Sequence, residues 1–394
     1  MRGFIKGLAG LAVLILLVWL GVWLYAEMRL KQLVAAEINR ANASGTAQIS
    51  YDKLTTSDSP LVASVALVNA SWVSQPGGSA PAITVRAAKI GMHVDLLSPM
   101  LLHVDIPPSI AIVTPEATGV LTFAVADIKE NLSPSLWTGN TDNPITGGDA
   151  RFAGINLLAS NGSLQVARID SLVLHEALNA KAGPSETAMS LKETMNHFQL
   201  SPIIARLINL PFNGQIAYLS LSTQLSGPFD WQSIANQTTS LPSSGAREHF
   251  MLQSLHQWAL AGGSAQGKLT LILGPSTFRA GGNVIFDSTA QPSGSAELNA
   301  NHLDQFTAAI ISAYPGLQGW VSQFEARFSP YLTTTQAGGQ VLAVNTVYGK
   351  DGVTTNGQKT GDMPPLDWNM LLNPPPAPPT PPSAPGDGSG AASP

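Results

Sequence analysis

The chain has 394 residues, enough for one large domain or two, and no cysteine, so disulfides, thiolate nucleophiles and thiolate metal sites are excluded. Only 11% of its residues are charged. Beyond Ala41 the body holds 15 basic and 23 acidic side chains, a balance that repels phosphate backbones and argues against nucleic-acid binding.

The first element is the clearest. Residues 7–26, "GLAGLAVLILLVWLGVWLYA", are an uncharged run of 20, long enough to span a bilayer as a helix. Arg2 and Lys6 precede it, and Trp19, Trp23 and Tyr25 gather at its far end, where amphipathic rings favour a membrane interface. A cleaved signal peptide would want small residues at −3 and −1 of the cut, and cutting after Ala26 places Leu24 at −3. The expectation is an uncleaved transmembrane anchor over 7–26 behind a cytoplasmic stretch, 1–6, with the weakly charged body exported. In a bacterial host that means a single-pass protein of the inner membrane with its body in the periplasm.

A helical stem, 27–47, follows, with Met28, Leu30, Leu33, Val34 and Ile38 spaced mostly by three and four. From Gln48 the period changes to two, and a β-rich body runs over 48–372. Residues 61–72, 83–97 and 119–128 form strands, as does 150–174, where Asn161-Gly162 is a hairpin turn signal. The segments "SETAMSLKETMNHFQL" and "PIIARLINL" are expected to be helices divided by Pro202. Then 214–225 is strand and 245–262 helix. A three-stranded meander covers 267–273, 279–287 and 294–301, with a bulge at Gly281-Gly282 and a turn at Pro292-Ser293-Gly294. Two helices broken at Pro315-Gly316 and a hairpin over 340–359 complete the body. The tail, 373–394, is Pro-rich and then Gly/Ser-rich, so it has nothing to bury and is expected to be disordered. The fold class is therefore α+β and β-rich, a curved antiparallel sheet with packed helices after one transmembrane helix.

Patterns that suggest chemistry are incomplete. Ser50-Tyr51-Asp52-Lys53 and Lys359-Thr360-Gly361 match S-x-x-K and K-T-G, but Ser50 opens a strand, which would turn it and Lys53 to opposite faces. His175-Glu176-Ala177-Leu178-Asn179 has Asn where a zinc helix needs its second His. His93-Val94-Asp95 and His103-Val104-Asp105 allow a metal site by alternation, or a plain His–Asp contact. Catalytic residues, cofactor and metal are each expected to be none, and the protein is expected not to be an enzyme.

What remains is an amphipathic sheet. Leu269, Leu271 and Leu273 share one strand face, Ala296, Leu298 and Ala300 another, and Val284 and Phe286 can join them. Helices at 190–210, 245–262 and 302–329 could close that face into a core, or the sheet could keep an apolar trough for acyl chains. The second reading makes Leu269, Leu271, Leu273, Val284, Phe286, Ala296 and Leu298 lipid-facing.

The stretch "GKLTLILGPSTFRAGGNVIFDSTAQPSGSAELNANHLDQF" and the closing "YGKDGVTTNGQKTGDMPPL" resemble an alphaproteobacterial envelope family, domain of unknown function 2125. The shared scheme is an N-terminal anchor, a strand ending in Gly274-Pro275, a second ending in Asp287, the Pro292-x-Gly294 turn, and a hairpin at Asp351-Gly352. In layout the family is similar to AsmA-like proteins, and the resemblance implies a lipid-holding β-trough without enzymatic activity. The expected function is lipid interaction or envelope maintenance. The alternatives are a scaffold docking a protein partner by sheet edge or tail and, remotely, a serine hydrolase using Ser50 and Lys53.

Overall fold

The computed structural model describes residues 2–373 except 44, 46, 57–58, 75–80, 140–143, 160–161, 242 and 336–338, with side chains from Leu14 onward apart from those of 232, 236 and 239. Asn161 of the expected hairpin turn and nearly all of the Pro-rich tail lie outside the described residues.

Long runs of period-two residues dictate the architecture, because such a run can bury one face only by joining a sheet. The first half contributes β1 (Ala47–Ser50), β2 (Lys53–Thr56), β3 (Val62–Ser74), β4 (Thr84–Asp95), β5 (Leu101–Asp105), β6 (Ser109–Val113), β7 (Thr118–Thr122), β8 (Val125–Leu132), β9 (Ile145–Ala159) and β10 (Leu164–Leu178). The second half adds β11 (Thr187–Leu200), β12 (Gln215–Ser226), β13 (Ser264–Leu273), β14 (Ser276–Phe286), β15 (Pro292–Asn301), β16 (Leu332–Thr334), β17 (Gln340–Gly349), β18 (Gly352–Thr355) and β19 (Gln358–Gly361). All belong to one curved antiparallel sheet.

Its order follows the pairings. β1 and β2 lie end to end along one side of β3, and β4 takes the other. β5 and β6 share the far side of β4 and pass the ladder to β8 and β7, which both pair with β9. From β9 a meander runs through β10, β11, β12, β13, β14 and β15 to β17, which is flanked by β16 and β18, with β19 last.

The helices are α1 (Arg2–Ala43), α2 (Pro202–Leu207), α3 (Trp231–Ser240), α4 (Ser244–Leu260), α5 (Leu303–Ala313), α6 (Gln318–Phe328) and α7 (Trp368–Leu372). The expected stem does not stand away from the body. It continues the N-terminal helix as part of α1, and its Leu30, Leu33 and Val34 are buried against Val65, Leu67, Val94 and Leu102 of the sheet and Leu136 of a short 3-10 turn. Arg29, also buried, donates from Nε and Nη2 to the Leu136 carbonyl at 3.0 and 2.8 Å. A second core joins Phe229 and Trp258 to Trp231, Ile234, Leu255, Ala265 and Phe286, and a third joins Leu303, Phe306, Phe324 and Phe328 to Phe278, Leu298, Ala300 and Leu342.

Four local expectations are corrected. Residues 187–200 form β11, not a helix: Met189, Leu191 and Met195 alternate with Lys192 and Thr194, and both edges are taken by β10 and β12. Pairing on two sides outweighs the helical propensity of Ala, Met, Leu and Lys. The 119–128 strand is two, β7 and β8. Gly281-Gly282 carries no bulge, since the register from β13 through β14 to β15 runs without a shift. A Cβ on Gly282 would come within 2.9 Å of the Ser295 carbonyl oxygen, so the glycine serves close backbone approach. Finally, Pro292, Ser293 and Gly294 are the start of β15; the turn is at 287–291, where the exposed Asp287 carboxylate accepts from Thr289 N, Thr289 Oγ1 and Gln291 N at 2.8, 2.7 and 3.0 Å. Those hydrogen bonds, led by the one from Gln291, lower its pKa.

Leu30 is fully buried where α1 meets the sheet. Leu30→Ala is expected to lower unfolding stability by about 3 kcal/mol through lost burial and a residual cavity, measured by denaturant titration of the full chain.

Candidate functional site

Directly paired residues of an antiparallel ladder point to the same side, so the register can be followed from strand to strand. Through Leu174, the row reads Val104, Ile128, Ala150, Leu174, Glu193, Leu221, Leu269, Ala280, Leu298, Val344. Two residues along the strands it reads Ala126, Phe152, Leu172, Met195, Leu219, Leu271, Phe278, Ala300, Leu342. One mainly apolar face thus crosses the sheet from β5 to β17. The opposite face is polar, with Lys192, Ser222, Lys268, Gly281, Glu297 and Asn345 in one continuous row.

The seven expected lipid-facing residues all fall on this apolar face. Leu269 aligns with Ala280 and Leu298, while Leu271 and Leu273 continue the same side of β13. Val284 and Phe286 lie on the same side of β14, and Ala296 aligns with Gly282 and Gly267. Their surroundings differ. Phe286 packs edge-on to Trp258 at 5.7 Å between ring centroids, and Leu298 belongs to the α5–α6 core. Ala296 is exposed.

The three cores occupy the two ends of the face. Between them, Ile128, Phe152, Leu172, Leu174, Leu191, Met195, Leu219, Leu221, Leu269 and Leu271 belong to none of the cores. Most are half-buried, and Leu221 is 37% exposed. Of these, only Leu269 and Leu271 were expected from the sequence. The signal for β10 and β12 was present in their alternation; that of β11 was hidden by its helical composition.

Glu193 stands singly on the face, and carboxylates cluster there at one place. Glu130 and Glu176 flank Gly148 in the row Leu102–Glu130–Gly148–Glu176–Leu191, and a Cβ on Gly148 would collide with the Glu130 carboxylate. Half-burial, with the charges of Glu176 and then Asp149, raises the Glu130 pKa from 4.5 to about 7. On the polar face His175 Nδ1 lies 2.7 Å from Asp149 Oδ1.

The chemical patterns do not converge. Ser50 closes β1 at one edge of the sheet, Lys53 opens β2, and Lys359-Thr360-Gly361 forms β19 at the opposite edge. His175 and Glu176 lie on opposite faces of β10. His93 of β4 stacks on His103 of β5 at 4.8 Å and contacts Asp105 Oδ2 at 2.9 Å, a His–Asp contact made across the two strands and not between a His and the Asp two residues on in its own strand. Among the described residues no group of three or more His, Asp or Glu could hold a metal ion.

With this sheet in view, the comparison with known families is direct. A family model described as an uncharacterized protein conserved in bacteria, DUF2125, matches residues 23–348. The chain belongs to that family. No curated protein and no solved structure matches it.

Because the folded state holds a proton on Glu130 that the unfolded chain releases near pH 4.5, the contribution of Glu130 to stability is fully present below that value and is lost as the pH rises through about 7. Glu130→Gln, which keeps the shape without the charge, is expected to flatten this part of the pH–stability curve and to raise the melting temperature at pH 8, measured by thermal melts between pH 4 and 8.

Proposed function

We propose that this is a membrane-anchored, lipid-interacting envelope protein, non-enzymatic, whose apolar sheet face acts as a trough for acyl chains. The observation that carries the reading is the middle of that face, which among the described residues is only half-buried and joins none of the three helix-packed cores. Ten large apolar side chains lie in adjoining rows between two helical walls, and a sheet face left open to water would forfeit roughly 25 cal/mol for each Å² it exposes. An acyl chain recovers that term without polar partners, as ligand sites of this kind commonly do.

Anchoring is proposed on separate grounds. Leu14, Ile15, Leu16, Leu17 and Val18 are all exposed, so on every side of α1 this stretch is bare. Among the described residues no helix is long and apolar enough to cross a membrane. The apolar run reaches such a length only with residues 7–13, whose side chains lie outside the described ones. In this reading α1 is the single span, the body stands in the periplasm of a bacterium, and the apolar face works by analogy with an AsmA-like trough.

Docking of a partner along a sheet edge is less favoured. Both edges are short strands, β1 and β2 at one side and β19 at the other, and short edges resist strand addition.

Lipid is to be extracted from the purified full-length chain and from the Leu172→Glu/Leu221→Glu/Leu269→Glu variant, and quantified by mass spectrometry. The wild type is expected to retain phospholipid or fatty acid roughly five times more abundantly than the variant, because a carboxylate costs heavily in an apolar contact. Equal amounts in both proteins, or none in either, refute the trough.

A further inference from the structure

Loop tips are ordinarily polar, because they meet water. At the end of the sheet where α1 projects, two loops break that rule. "LLSPMLL", residues 96–102, leads from β4 into β5 without a charged residue, and Ser59-Pro60-Leu61 leads into β3. Leu97 is 87% exposed, Leu61 64% and Met100 40%. The loops are joined to each other, the Leu96 amide donating to the Leu61 carbonyl at 3.4 Å.

They are also tied to the helix. Trp19 Nε1 donates to the Pro60 carbonyl at 2.8 Å and Trp23 Nε1 to the Val62 carbonyl at 3.2 Å. Tyr25 Oη donates to the Trp137 carbonyl at 2.5 Å, and Trp137 Nε1 in turn donates to the Pro99 carbonyl at 3.1 Å. The rings at the end of the apolar run therefore clamp the very loops that carry the exposed leucines. Beyond Trp19 the helix runs on from Val18 back to Arg2, about 25 Å at 1.5 Å per residue, and its side chains from Leu14 to Val18 are bare.

Backbone polarity is suppressed in the same loops. Pro60 and Pro99 have no N–H, and indole donors occupy their carbonyls. The Val62, Ser98 and Leu101 amides donate to the Ser59, Asp95 and Ser98 carbonyls at 3.4, 2.9 and 3.1 Å. Loops in which several backbone groups find partners inside the protein suit contact with lipid, where unsatisfied groups are costly.

We infer that the 59–61 and 96–100 loops insert into the interface of the bilayer that holds α1, so that the body is seated on the membrane at Leu61, Leu97 and Met100 instead of tethered above it. This rests on the anchoring proposed above and extends it: the end of the apolar sheet face nearest Leu102 and Leu132 then adjoins the lipid surface. The occupant is the bilayer because the loops are continuous with the bare apolar helix, and because the tryptophans that grip them are of the kind that settles at the interface.

The chain has no cysteine, so single Cys variants can be labelled cleanly. Full-length Leu16→Cys, Leu97→Cys and Glu116→Cys, the last in the β6–β7 turn, are to carry bimane and be reconstituted in phosphatidylethanolamine/phosphatidylglycerol vesicles. Lipids bearing a nitroxide near the headgroup report depth. Roughly twofold or greater quenching at positions 16 and 97, with none at 116, is expected. Quenching at 16 but not at 97 overturns the seating and leaves the anchor standing. Absence of quenching at 16 overturns both. Leu61→Cys repeats the reading on the second loop, so a folding defect in one variant does not decide the outcome.

Discussion

Everything in this molecule depends on register. From β9 to β15 the strands are joined in sequence, each pairing antiparallel with the next, and the Cα partners advance together except for shifts at Gln165/Ala167 and Thr187/Met189 near strand ends. A slip of one residue in any strand would turn its leucines to the polar side. Leu174, Leu221, Leu269 and Leu298 come from four different strands, yet hydrogen-bonded pairing sets them in a single row. The apolar face is thus a property of the ladder, and no one segment contains it.

The helices determine what that face becomes. A sheet of this width with one dry side must be covered along its length or leave apolar surface open. Here coverage is partial. α1 seals the β3–β5 region with Leu30, Leu33 and Val34, and α4 and α5 bring Trp258, Leu303 and Phe306 to the other side. The half-buried rows that join none of the three cores among the described residues lie between these walls. The same helix that closes one side also carries the exposed apolar stretch from Leu14 to Val18.

Much of this was legible in the residues. Alternation located β3, β4, β9, β10 and the β13–β15 meander, and Pro315-Gly316 marked the break between α5 and α6. The seven expected face residues share one side because period two needs no knowledge of neighbours. What misled was composition and punctuation. Ala, Met, Leu, Lys and Glu make 187–200 resemble a helix, but two strand partners hold it extended. Pro292 and Gly294 resemble a turn, but the three hydrogen bonds accepted by Asp287 place the reversal earlier.

The amino-acid sequence alone determined that the chain lacks thiol chemistry, carries an apolar helix near Arg2 and Lys6, and alternates polar and apolar residues in strand-length runs; these are local properties, encoded in neighbouring side chains. Tertiary structure alone decided that Leu172, Leu191, Leu219 and Leu269 share one face, that residues 30–34 of the stem are core, that Ser50 and Lys359 lie on opposite edges, and that among the described residues the middle of the face joins none of the helix-packed cores. Those outcomes rest on pairings between residues far apart in the chain and on where three helical segments find room to pack, and neither is written in any single stretch of it.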